Sequence, residues 1–598
     1  MRIQMWQKTD YNLTNFKKTH NIMKYNIKKS FRVGALAVAG ALAIASCTDD
    51  WNEHYEGTAT TIGQSYAGTT MGYLQSQSNL SDFVEVLKAT GYVAELNDPQ
   101  VLTVLAPVNG SFNKDSLMAL VNAGQKKQVV NRFVKNHLMR YNISLGGQEQ
   151  EVYLLNDKRV KISPLADLLV QHSKVQSPNI GCSNGIVQVM SQYLPYQTNI
   201  YELIEDDWAA FKKTTTEDLD SIPSLYNFLN KFNVDSLDER RSVYRGVDED
   251  GNNIYVDSVM IRNNKALSQL RAYLYREDST YMAIIPSQKA YEDRYNEAYN
   301  FFHFNTSFNS DPVVRDSMQN YYANYYTVSD LFYNMSQHMN GPTKEDSLFS
   351  TVYSRSNPKY DVYYHPYAPD SLLSRTKSIV ECSNGEVRYM DDIPYTKYQN
   401  FFREIKIEAE NHGLLQTGEK WTNANATTWF SKSTTADSIS GGGYMIFNAS
   451  SSTRNTEFSY DVPRTLSGTY DIYVRFLPYQ AAYPEDTLHT NLPVQFRAGL
   501  FERNEKGTMP ESGAYQFRNP ADGGRNFLTN PNCIDEVYIG TYTFKDCYHN
   551  TSTVGAYFQL SSYVTSSQKD KYTKNMIIDY IIFKPHVEAT EEEDSTNE

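Results

Sequence analysis

GCSNGIVQVMSQYLPY at 181–196 and ECSNGEVRYMDDIPY at 381–395 write one phrase twice, 200 residues apart. Cys182-Ser183-Asn184-Gly185 returns as Cys382-Ser383-Asn384-Gly385, and each copy runs through a short alternating stretch to a proline. Asn-Gly tolerates positive φ at both central turn positions, so the expected local structure is a two-residue type I′ hairpin. Its arms in the second copy are Ser378–Cys382 and Glu386–Met390. A single Asn-Gly decides nothing about a fold. Two copies with the same flanks point to a duplicated domain.

Reading outward extends the duplication. Leu80, Phe83, Val84 and Leu87 stand at i, i+3, i+4, i+7, an amphipathic helix with Gly91 as its C-cap. Leu225, Phe228, Leu229 and Phe232 repeat that spacing behind Pro223, placed where a helix start accepts proline. After the first helix comes the buried strand Val101–Pro107, with Phe112 beyond it. After the second, at a longer delay, come Tyr281–Pro286 and Tyr291. The order helix, strand-proline, helix, hairpin holds in both copies.

These residues resemble the fasciclin (FAS1) family. Leu102–Phe112 is similar to that family's first signature, Asn131–Leu138 (NRFVKNHL) to its central helix and histidine motif, and Asn184–Val189 to its last hairpin, with Pro195 as the closing proline. The first copy, 70–200, follows the pattern closely. The second, 201–400, is stretched and degenerate: Tyr321–Tyr326 stands where the histidine segment belongs. Its extra length, 236–278 and 338–376, is polar and tyrosine-rich and is expected on the surface. The resemblance implies two α/β (α+β) domains, adhesion or ligand display without catalysis, and a structural, hydrogen-bonding role for His137.

The N-terminus carries a different signal. Lys24, Lys28, Lys29 and Arg32 precede the uncharged run Val33–Ala45, too short to remain a membrane span and flanked like an export signal. Ile44-Ala45-Ser46-Cys47 resembles the bacterial lipoprotein cleavage box, which makes 1–46 a signal peptide (true start at Met23) and Cys47 the lipidated first residue of the mature chain. Thr48-Asp49-Asp50 resembles the surface-export signal of Bacteroides-type lipoproteins. The expectation is an outer-membrane, lipid-anchored (diacylated, palmitate-bearing), surface-exposed protein, with 47–69 as a flexible tether and 589–598 as an acidic disordered tail. The chain has 598 residues, room for three or four domains, and its 56 basic against 69 acidic side chains give a net charge of −13. That balance argues against a nucleic-acid partner. Of the remaining cysteines, Cys182 and Cys382 read as unpaired thiols at strand ends, while Cys533 and Cys547 are near enough in sequence for a disulfide.

From 401 the texture changes to short strands separated by turn residues, an all-β sandwich over 401–588. Glu404–Glu410, Thr456–Val462 and Gly468–Phe476 alternate, and Met576–Phe583 is a nearly continuous core strand. Ile407–Glu410, Gly468–Arg475 and Ile578–Ile581 resemble carbohydrate-binding jelly rolls of the galactose-binding-like type. That likeness makes Glu408, Glu410 and Asp579 candidate ligands of a structural calcium; no other cofactor is expected. Trp421 and Trp429, in a polar segment, are the candidate sugar-stacking rings, competing with a core role usual for sandwich tryptophans.

The chain lacks GxSxG, GxxxxGK[ST], HExxH and GxGxxG motifs, and no two of its 11 histidines share a helical face. Gly441-Gly442-Gly443 reads as a turn, and Asp391-Asp392 as a solvated pair. No catalytic residue is assigned. The expected function is non-enzymatic capture of a glycan or other nutrient beside an outer-membrane transporter. The alternative is a fasciclin-mediated adhesin that binds matrix or another extracellular protein.

Overall fold

The computed structural model describes residues 64–99, 101–146, 148–163, 168–216, 218–219, 221–238, 243–247, 253–257, 260–335, 347–352, 362–416, 422–423, 425–549 and 553–587. Cys47, the signal segment, the tether, the acidic tail and Trp421 lie outside them. The chain divides into two compact units, one containing residues up to 130 with 137–152 and 161–194, the other 131–136, 153–160 and 195–598. No helix of the described residues is long and apolar enough to cross a membrane.

In the first unit β1 (Gln64–Ser65) leads to α1 (Thr70–Ser76) and α2 (Ser81–Thr90). Phe83, Val84 and Leu87 are buried on α2, which ends at Gly91 in the left-handed conformation, as the spacing requires. Strands β2 (Leu102–Pro107), β3 (Leu138–Arg140), β4 (Ser173–Cys182) and β5 (Gly185–Met190) form a sheet in the order β3-β2-β5-β4. Every residue of β2 and β5 is buried, and the two pair in parallel from Leu102 opposite Gly185 to Pro107 opposite Met190. His137 is buried and accepts the N–H of Leu194 on Nε2 at 2.9 Å, the structural role expected of it.

The second unit opens by repeating the plan. Helices α3 (Ile200–Lys212) and α4 (Leu225–Asn230) precede β6 (Tyr281–Pro286); α5 (Gln288–Tyr299) and α6 (Pro312–Val328) lead to β7 (Phe332–Asn334), β8 (Ser378–Cys382) and β9 (Gly385–Met390). The sheet order is β7-β6-β9-β8, and β6 pairs with β9 from Tyr281 opposite Gly385 to Pro286 opposite Met390, the same register as before. Ser224, not Pro223, caps α4; its side chain accepts the N–H of Asn227. Asn233–Leu237 and Met260–Asn264 form an outlying ribbon with Val234 exposed. Neither insertion is purely superficial: Leu267, Leu270 and Leu274 of the first and Leu348, Val362, Leu372 and Leu373 of the second are buried.

The hairpins correct the expected turn. Cys182 pairs with Gly185 and Cys382 with Gly385, so the loop residues are Ser-Asn, not Asn-Gly. Neither Ser183 nor Asn184, nor their counterparts, has positive φ. The glycine is needed for close approach instead: a Cβ on Gly185 would lie 2.1 Å from the carbonyl oxygen of Leu102, and one on Gly385 1.7 Å from that of Tyr281.

Two six-stranded sheets follow. The strands are β10 (Ile405–Glu408), β11 (Leu415–Gln416), β12 (Thr427–Ser433), β13 (Gly443–Ala449), β14 (Glu457–Val462), β15 (Thr469–Phe476), β16 (Gln495–Glu502), β17 (Tyr515–Gln516), β18 (Phe527–Leu528), β19 (Asp535–Thr543), β20 (Ala556–Ser562) and β21 (Met576–Pro585). One sheet runs β12-β13-β21-β15-β19 with β10 beside β21; the other runs β11-β14-β20-β16-β17 with β18 beside β16. They meet face to face through Phe447 stacked on Phe458 at 3.6 Å, Phe476 against Phe496 at 4.8 Å and Phe558 against Phe583 at 5.7 Å between ring centroids.

The sandwich is continuous with the second repeat, sharing one hydrophobic cluster from Ile200 to Phe583. Phe301 packs on Phe402 at 4.6 Å, Phe402 on Tyr470 at 4.9 Å, and the N–H of Cys547 donates to the carbonyl of His303 at 2.7 Å. The Cys533–Cys547 disulfide is not formed. Cys533 is exposed, whereas Cys547 is buried in this seam with its thiol pushed up to about 12 by desolvation. Cys182 and Cys382 are free thiols, as expected.

Candidate ligand-binding site

The alternation of three strands builds a polar surface on the outside of the second sheet. In β14, Phe458, Tyr460 and Val462 face the core, so Glu457, Ser459 and Asp461 face outward. In β20 the outward residues are Tyr557, Gln559 and Ser561; in β16 they are Arg497, Gly499 and Phe501. Register aligns them in rows. Gln416, Ser459, Gln559, Gly499 and Gln516 form one row across five strands. Glu457–Ser561–Arg497 and Asp461–Tyr557–Phe501 flank it.

This face is recessed: Ser459, Asp461, Gly499 and Phe501 are buried although they point away from the core. The Ser459 hydroxyl has no hydrogen-bond partner among the described residues. Gln416 Nε2 donates to Asp461 Oδ1 at 2.7 Å, yet burial still pushes the Asp461 carboxyl up to about 6. Burial alone raises Glu457. Arg497 lies 3.4 Å from the centre of the Tyr563 ring and donates from Nε to Asn526 Oδ1 at 2.9 Å, which fixes the guanidinium at one corner. Partly desolvated amide, hydroxyl and carboxyl groups on one recessed face provide both donors and acceptors for a polyhydroxylated ligand. No motif spacing announces this face. Its signal is the outward half of TEFSYDV, AYFQLSS and QFRAGLFE, which becomes legible only once the register between strands is known.

The three predicted acids come together at the opposite sheet. Ser440 bridges two of them: its Oγ donates to Glu408 Oε1 at 2.7 Å and its N–H to Asp579 Oδ1 at 3.0 Å. Glu410 lies against the same turn, since a Cβ on Gly441, which has φ of +62°, would lie 2.6 Å from Glu410 Oε1. The glycine run is thus the seat of this cluster. Burial pushes Asp579 up to about 6 and, with the neighbouring Glu408 charge, raises Glu410. Lys406 and Arg475 approach Glu408 at 3.2 Å and Asp579 at 3.3 Å. Glu408 Oε2 and Glu410 Oε2 are buried without a hydrogen-bond partner among the described residues. Such orphaned oxygens fit a hard cation in donor chemistry. The acids do not form a finished ligand shell, however: among the described residues no three acidic, histidine or cysteine side chains are grouped to hold an ion.

Trp429 is not an exposed platform. It stands opposite Phe447 on edge strand β12, packs against the core rim, and meets the His412 ring at 5.2 Å. Asp391 and Asp392 are surface groups paired with Lys377 and Arg375. In the first unit, an open hollow of about 670 Å³ is lined by Asp82, Phe112, Lys114 and Tyr193. Lys114 there is already paired with Asp82 and Glu85.

Residues 78–195 match the Fasciclin domain family. No curated protein matches the chain. Among solved structures, a FAS1 domain pair from the insect cell adhesion molecule Fasciclin I is similar at 13% identity, over 54% of this chain and 98% of that one, with a TM-score of 0.19. A family 22 carbohydrate binding module from Clostridium thermocellum is similar at 15% identity, over 30% and 95%, with a TM-score of 0.18. A Paenibacillus xanthan lyase is similar at 20% identity over 34% of this chain, which spans only 16% of the lyase, with a TM-score of 0.19. TM-scores this low leave function to be argued from the residues.

Proposed function

We propose that this chain is a non-enzymatic binding lipoprotein, anchored through Cys47 to the outer membrane and exposed at the cell surface, that holds a glycan on the recessed face of β14, β20 and β16. The observation that carries the reading is the row Gln416–Ser459–Gln559–Gly499–Gln516, flanked by Glu457, Asp461, Arg497 and Tyr557. Paired amide and carboxyl groups match vicinal hydroxyls, and Gln559 stands at the centre of the row. Glu408, Glu410 and Asp579 would hold calcium, which supplies positive charge to buried carboxylates and stiffens the sandwich away from the ligand face.

The test is a glycan array probed with the chain from residue 48, followed by calorimetry on any hit. Binding that falls about tenfold or more in Gln559→Ala and Glu457→Gln supports the assignment. Failure to bind any glycan, with and without calcium, overturns it. The Fasciclin match favours a second reading, an adhesin or docking element for an extracellular protein or a transporter complex. Binding that maps to 70–200 instead of the sandwich would select it. For the anchor, Cys47→Ser should release the protein from membranes, and protease added to intact cells should digest the wild type.

A further inference from the structure

The two repeats differ at one edge. In the first, β1 lies parallel to β4 with Gln64 opposite Ile180 and Ser65 opposite Gly181. The Tyr66 N–H donates to the Gly181 carbonyl at 2.8 Å, and the Ser183 N–H to that of Gly68 at 2.9 Å. In the second repeat only the last of these bonds survives, as the Ser383 N–H donating to Thr198 at 2.9 Å. Counting back from Thr198 as from Gly68 places Pro195 where Ser65 stands and Tyr196 where Tyr66 stands. Tyr196 is drawn elsewhere: its hydroxyl meets Glu202 Oε1 at 2.5 Å, and Lys158 Nζ sits 5.0 Å from its ring centre.

Strand β8 is therefore the terminal strand of its sheet. Ile379 and Glu381 are the counterparts of Asn179 and Gly181, whose outer side β1 approaches. Their backbone groups have no partner there among the described residues. Ile379 is 51% exposed, and four of the five β8 residues are exposed or half-exposed. An open edge of this kind is a template for another strand.

We propose that the outer edge of β8 is a docking site for an extended segment of a partner protein, added parallel to β8 as β1 is added to β4. The segment is uncharged, as Gln64-Ser65 is, because Glu381 would repel an acidic strand.

The probe is a fluorescent peptide of residues 61–68 (TIGQSYAG), added to the full-length protein in detergent, whose β4 edge already holds β1. Binding is expected to the wild type and to Glu381→Gln, and to weaken at least tenfold in Glu381→Pro, which removes an outward N–H and leaves β8 paired to β9. No binding at millimolar peptide, or equal binding by Glu381→Pro, overturns the proposal. Amide exchange on the wild type provides a measurement independent of any variant's folding. Peptide should slow exchange at Ile379 and Glu381 about tenfold or more, and unchanged exchange at both overturns the proposal equally.

Discussion

Asn384 Oδ1 accepts the backbone N–H of Ile200 at 2.9 Å, and one repeat earlier Asn184 Oδ1 accepts that of Thr70 at 2.8 Å. Each asparagine also donates from Nδ2 to two carbonyls of the segment before the central strand, those of Leu96 and Asp98 in one repeat and of Leu274 and Arg276 in the other. Both side chains are buried. One amide thus ties the hairpin to the first helix and to the chain entering β2 or β6. Asn384→Ala should cost about 3 kcal/mol, since it takes the partner from the buried N–H of Ile200 and from the carbonyl of Arg276 and leaves the carbonyl of Leu274 only the N–H of Tyr201. Asn384→Asp keeps the acceptor and loses the donors, so it should not rescue. Urea unfolding monitored by fluorescence measures both.

The same geometry makes Gly385 intolerant. A Cβ there would overlap the Tyr281 carbonyl, which is backbone and cannot swing aside. Gly385→Ala should force β6 and β9 apart and lower the unfolding midpoint more than Gly499→Ala does. At Gly499 the nearest atom is Gln516 Nε2, the tip of a flexible side chain, at 3.0 Å.

The duplication was legible because its signals are local: an amphipathic spacing, an all-apolar strand ending in proline, and a four-residue phrase. The role of Asn184 and Asn384 was not, because their side chains bond to residues 86 to 184 positions away and the turn they occupy does not need positive φ. Glu408, Glu410 and Asp579 were named through a family likeness; Glu408 and Asp579 share Ser440 and Glu410 lies against Gly441, but among the described residues they do not form a group of three able to hold an ion. The recessed face was not legible because β14, β16 and β20, which carry most of it, are not neighbours in sequence. Trp429 misled for the usual reason: an indole in a polar segment can still turn toward the core.

Calcium should raise the thermal midpoint of the wild type by several degrees, and chelation should reverse the shift. Glu410→Gln with Asp579→Asn should abolish the response while leaving the fold intact, because both substitutions neutralise buried carboxyl groups whose protonated forms burial already favours. Differential scanning fluorimetry with and without chelator decides this. A shift that persists in the double variant would place any calcium elsewhere.

The shared core of the second repeat and the sandwich predicts one cooperative calorimetric transition for residues 195–587. A fragment beginning at 401 exposes the Phe402 and Cys547 surfaces that meet Phe301 and His303, so it should unfold at lower temperature than the same region in the intact chain.

Two groups in this unit make stability depend on pH in opposite senses. His549 packs beside Tyr326 and Phe302, with the Tyr326 hydroxyl at its Nε2, and desolvation pushes the imidazole down to about 4. Between pH 6.5 and 4 the unfolded chain binds a proton there that the native state refuses, so stability falls on acidification. Asp461 does the reverse. An unfolded aspartate ionises near pH 4, whereas the native one keeps its proton to about pH 6, so stability falls as the pH rises between those values and then levels off. His549→Phe should therefore unfold at a higher temperature than the wild type at pH 5 relative to its position at pH 7.5. Asp461→Asn should gain relative to the wild type between pH 4 and 6 and hold that gain above it. Melting midpoints of the three proteins across pH 4 to 8 test both, and parallel curves would show that neither group carries the linkage.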